Sequence, residues 1–197
     1  MVYDNKKIAG FLLFVGSAQF VFAAIVAEAL DTEYNFSQPM NWLGSGSAAL
    51  IFNSSLFLFG LFVIIGAYLI QRPLNKQTFI NKLFWFLMTM TGIGAAGIGI
   101  FNEDLGLAHV IAVRMFWVFA VPSAVMSYKF QKKPLSYVSV ILGILTLIAV
   151  FVFLSTVYIN PNINYLGIGR GGMQRIIQYP ILLWALGFGA HLIGNSE

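Results

Sequence analysis

The residues able to do chemistry in this chain are few and crowded together. Glu103, Asp104, His109 and Arg114 fall within the thirteen positions from Asn102 to Arg114, in a 197-residue sequence of which only 9% is charged. An imidazole can take and return a proton near neutral pH, and a neighbouring carboxylate can orient it. A guanidinium offers a planar fork of N–H donors that matches a carboxylate or a phosphate. Together these groups suit proton transfer on an anionic molecule, with His109 as the base, Asp104 or Glu28 as its helper and Arg114 as the anion holder. His109 and Arg114 are five residues apart, about 140° around a helix. They do not share a face, and Asp104, which precedes the helix, could return to either.

Each of these residues also has a plainer reading. Glu28 is the one carboxylate inside an apolar stretch, and Arg114 sits seven residues into another, roughly 10 Å along its axis. An arginine at that depth costs at least about 2.5 kcal/mol and takes a partner. Arg114 therefore either forms a structural ion pair with Glu28 or holds an anion such as a lipid phosphate. Glu103 and Asp104 fit the role of acids at a helix N-terminus, worth a few tenths to about 1 kcal/mol. Arg175, Gln178 and Tyr179 form an i, i+3, i+4 stripe just after the glycine run Gly169 to Gly172. Backbone N–H groups and a guanidinium could meet an anion there. Alternatively, Arg175 reaches out to the membrane interface with Tyr179 in the aromatic belt. Asn53 either contacts the ligand or makes an interhelical hydrogen bond. The substrate-binding candidates are thus Arg114, Arg175, Tyr179 and Asn53, and the catalytic candidates are His109, Asp104 and Glu28.

Other chemistries lack their residues. There is no cysteine, so thiol catalysis and thiolate metal sites are excluded. The acids Glu28, Asp31, Glu33, Glu103 and Asp104 with His109 include no ligand-spaced pair of histidines, and neither a metal nor a cofactor is expected. Gly92-Ile93-Gly94-Ala95-Ala96-Gly97 matches a dinucleotide fingerprint in letters only, since it lies in an apolar span with no preceding strand. It reads instead as a helix-packing face of small residues. Asn35-Phe36-Ser37 is a glycosylation sequon.

The elements that must position these groups are membrane spans. The chain is 59% hydrophobic with 19 Phe, and its mean hydropathy is +0.83, far above a soluble domain. A spanning helix needs about 20 apolar residues, and six such runs stand out: about 8–30, 48–70, 79–101, 107–130, 137–158 and 175–193. An all-α integral membrane bundle of six helices, one domain over residues 1–197, is expected. Taking alternate connections together, Lys6, Lys7, Arg72, Lys76, Lys82, Lys129, Lys132 and Lys133 fall on one side, and Arg170 and Arg175 on the other with most of the acids. That asymmetry predicts cytoplasmic amino and carboxyl termini in a plasma-membrane protein. It also accounts for the net charge of +4 without nucleic acid as a partner.

The order Trp42-Leu43-Gly44, Phe52-Asn53, Gly97-Ile98-Gly99-Ile100-Phe101-Asn102 followed by His109, and Gly169 to Arg175 with Tyr179-Pro180-Ile181-Leu182-Leu183-Trp184 resembles the six-span family known as domain of unknown function 998. The likeness covers about residues 8–194. In the family a proline often follows the phenylalanine before the polar loop, where this chain has Asn102. The resemblance implies six helices and an archaeal or bacterial origin, and brings no activity with it.

The leading expectation is an outward-facing polar cavity that binds, and in an enzyme would modify, an anionic lipid or lipid-linked substrate. One alternative is an accessory subunit of a larger membrane complex, with the polar side chains as interhelical glue. Another is a small transporter, which needs polar groups at mid-membrane, where the inner half offers Thr89, Thr91 and Ser123.

Overall fold

The structure, a computed structural model, describes residues 4–71, 78–157, 159–160 and 163–194. Arg72, Lys76 and Tyr158, used in counting charges and spans, lie outside the described residues. Six α-helices follow one another: α1 Asn5–Leu30, α2 Ala49–Gln71, α3 Phe79–Ile100, α4 Leu107–Met126, α5 Leu135–Val157 and α6 Gly169–Gly194. All six are long and apolar enough to cross a membrane, α4 together with a 3-10 turn that carries it to Phe130. Asp4 caps α1 by accepting the Lys6 N–H at 2.8 Å, and Thr78 caps α3, each satisfying a donor that the helix start leaves open. Pro122 and Pro180 lie inside α4 and α6 without ending them, as membrane-spanning helices tolerate.

Helices consecutive in sequence pack side by side, and α6 closes the ring on α1 while also touching α4. Rings of Phe20, Phe52, Phe59 and Phe116 fill one half of the interior, with centroids 5.7–6.5 Å apart. Phe84, Phe130, Trp184 and Phe188 fill the other. Where α1 crosses α6, a Cβ on Gly10 would lie 2.5 Å from the Gly189 carbonyl oxygen; only glycine allows so close a backbone approach. The run from Gly92 to Gly99 packs on α2 and α4, against Gly60, Phe57 and Phe116. Side-chain hydrogen bonds add links between helices: Gln19 to the Ser55 carbonyl (2.8 Å), Thr91 with Ser123 (3.3 Å), and Thr146 to the Ile177 carbonyl (3.2 Å).

Two elements depart from the sequence reading. The connection between α1 and α2, polar in sequence, is packed, for its 3-10 turn Met40–Gly44 drives Met40 and Leu43 fully into the core. The helix α6 starts at Gly169 rather than near residue 175, so the glycine run is its first turn. The reason is the connection lying on top of it. The Gly171 N–H donates to the Ser37 carbonyl at 3.0 Å, and the Phe36 and Gln38 carbonyls press against the Gly171 Cα where any side chain would collide.

Candidate functional site

One end of the bundle carries Glu28, Asp31, Glu33, Glu103 and Asp104; the other carries Lys6, Lys7, Lys82, Lys129, Lys132 and Lys133, with Asp4. At the acidic end the ionisable side chains separate into a closed cluster and an open cleft.

The closed cluster is built on Arg175, one turn and a half into α6 and 4% exposed. Its guanidinium pairs with the Glu28 carboxylate of α1. It also donates to the Tyr34 hydroxyl at 3.1 Å and to the Phe36 carbonyl at 3.2 Å, and stacks 4.2 Å from the centroid of the Phe36 ring. Tyr34 in turn donates to the Gln38 carbonyl at 3.0 Å. Burial raises the Tyr34 phenol above its ordinary 10.0, against the opposing pull of the Arg175 guanidinium, and so keeps it a neutral donor. The cluster ties α1, α6 and the connection between α1 and α2 into one unit.

The cleft lies between the first half of α4, the end of α5 and the start of α6. It has a volume of about 390 Å³ and a polar mouth made by Glu103, His109, Arg114, Arg170 and Gln174. Its apolar wall comes from Val113 and Trp117 on α4 and Phe153, Leu154 and Val157 on α5. Gln174 holds the roof in place by accepting the Met40 N–H at 2.6 Å. His109 is 5% exposed, and its Nδ1 lies 2.7 Å from the Phe101 carbonyl. A carbonyl only accepts, so Nδ1 carries the proton, and in the neutral ring Nε2 presents a lone pair. That Nε2, the Glu103 Oε2 and the Arg170 Nε are buried with no hydrogen-bond partner among the described residues. Buried polar groups are nearly always satisfied, and three orphans around one void are what a site for a polar ligand provides. The lining brings two guanidinium groups, of Arg114 and Arg170, to the same cleft as the Glu103 carboxylate.

The family described as protein of unknown function (DUF998) matches residues 14–191. The chain belongs to the DUF998 family. No curated protein and no solved structure is detectably similar to it.

In this DUF998 chain the expected site residues are distributed unevenly. His109 and Arg114 share the cleft with Glu103. Asp104 faces an adjoining groove of about 510 Å³ with Asp31, Glu33 and Trp42, separated from the cleft by Glu103, which borders both. Glu28 pairs with Arg175 and not with Arg114, because the connection brings the α6 start over the end of α1. Arg175 does not reach out to the interface; it points inward. Tyr179 is half-buried and packs on the core. Asn53 donates to the Gly44 carbonyl at 2.8 Å and braces the 3-10 turn. The backbone of the glycine run is engaged by Ser37 rather than forming an open nest. Among the described residues no group of three or more His, Asp and Glu side chains comes together to hold a metal ion.

Arg170 and Gln174 were missed. Once α6 is known to start at Gly169, their i, i+4 spacing places both on the face toward the cleft. Reading the glycines as a loop hid that signal.

Proposed function

We propose that this DUF998 protein binds an anionic amphiphile, a phosphate-bearing lipid or lipid-linked molecule, in the cleft between α4, α5 and α6. The phosphate would sit between Arg114 and Arg170, and the chain would lie along Val113, Trp117, Phe153 and Leu154. The observation that carries this reading is the buried, unpartnered Arg170 Nε beside an apolar wall, with the Glu103 and His109 acceptors placed for the ligand's hydroxyl groups. His109 Nε2 is the group that would accept a proton from a ligand hydroxyl. The positive-inside rule supports a plasma-membrane orientation with the lysine-bearing end and both termini cytoplasmic, which turns the cleft toward the outer leaflet.

The test is the double variant Arg114→Gln, Arg170→Gln, with lipids co-purifying with the protein measured by mass spectrometry. A charge-assisted hydrogen bond is worth about 1.5–3 kcal/mol, so retention of the anionic lipid should fall by roughly tenfold or more. Unchanged lipid content in a folded double variant would overturn the proposal.

A further inference from the structure

The opposite end of the bundle holds a second cavity, of about 420 Å³, that the outer cleft does not explain. Its polar lining is Lys6 from the first turn of α1, Lys129, Gln131 and Lys132 from the connection between α4 and α5, and His191 near the end of α6. Among the described residues no carboxylate lines it. The orientation rule accounts for lysines on this end of the chain, but not for their convergence from separate elements on one walled space. Gln131 adds a neutral amide to the lining. It lies 3.3 Å from the Ser127 hydroxyl, whose one proton goes to the Ala124 carbonyl at 2.7 Å, so the contact holds the side chain at the cavity wall. Three ammonium groups from separate elements, with no acid among the described lining residues to answer them, are complementary to an oxyanion.

We propose that this cavity binds a phosphate group, supplied either by an anionic lipid or as a free ion. Three lysines and an amide offer a flexible set of donors to the tetrahedral oxygens. Phe130, which also lines the cavity and is only partly buried, gives an acyl chain an apolar surface next to it. The site is independent of the outer cleft, shares no residue with it, and stands or falls separately.

The full chain in detergent is titrated with phosphatidylglycerol, phosphatidylcholine and inorganic phosphate, and bound species are counted by native mass spectrometry. Two pairs of substitutions remove the same charge from the same end. Lys6→Gln with Lys132→Gln strips the cavity. Lys7→Gln with Lys133→Gln leaves it intact, since Lys7 is absent from the lining and Lys133 sits 5.2 Å from the Tyr137 ring centroid. The first pair should weaken phosphatidylglycerol or phosphate binding roughly tenfold, and the second less than about twofold. Gln131→Leu alters no charge and should weaken it about three- to tenfold. Inorganic phosphate bound with the same dependence on Lys6 and Lys132 identifies a free-anion site; phosphatidylglycerol bound without it identifies a lipid site. Equal losses from the two pairs, full binding by Gln131→Leu, or binding of neither anion would overturn the proposal.

Discussion

Arg170 and Arg175 stand on the same helix, just over one turn apart, yet they occupy opposite electrostatic situations. Around Arg175 the chain supplies a carboxylate, a phenol, a carbonyl and an aromatic face, and the charge is neutralised within the fold. Around Arg170 it supplies a void and, among the described residues, no carboxylate within pairing distance. A guanidinium surrounded in the first way holds helices together. One surrounded in the second way is left available for a molecule from outside. Helix position does not separate the two; the supply of partners does.

Several measurements would break or sharpen that contrast. The largest effect should come from Glu28→Gln, which leaves Arg175 buried without its counter-charge. We expect about 3 kcal/mol of destabilisation, the lower end for an unpaired buried charge, because the Glu28 side chain keeps 25% exposure. A thermal-melt assay should show it, with cleft lipid retained in whatever remains folded. If the variant melts like the parent, Arg175 is not the structural member of the pair. Next in size is His109→Asn, whose amide can still donate to the Phe101 carbonyl while removing Nε2. Its melting should stay within about 1 kcal/mol of the parent while ligand retention drops several-fold. A fall in stability with unchanged retention would move His109 into the structural class.

The smallest effect concerns Tyr34. Its phenol is held above its ordinary 10.0 by burial. Above that pH the unfolded chain gives up the proton while the folded chain keeps it, so stability declines as pH rises through the alkaline range. Tyr34→Phe should cost about 1 kcal/mol at neutral pH through its lost hydrogen bonds, and should flatten the alkaline decline. A decline equally steep in the variant would assign it to another group.

Much of the architecture was legible beforehand, since hydropathy and length are properties of short stretches. Runs such as Ala49–Gln71 carry no charge at all and have no other stable state in a bilayer than a helix. The cluster of His109 and Arg114 could be found because ionisable residues are so rare in the spans. The partner of Glu28 was not legible. Choosing between Arg114 and Arg175 requires the azimuth of each helix and the path of the connection between α1 and α2. The glycine run misled for a related reason: glycine disfavours an isolated helix, and only the backbone of Phe36, Ser37 and Gln38 lying across it explains why a helix begins there.

Sequence alone determined six apolar spans, the segregation of lysines from acids, and membership of the family, because each depends on composition and order along the chain. Tertiary structure decided which arginine is consumed by an ion pair and which faces a void, and which nitrogen of His109 keeps its lone pair. Those outcomes depend on directions in space, which are set only when six helices and one folded connection close on each other.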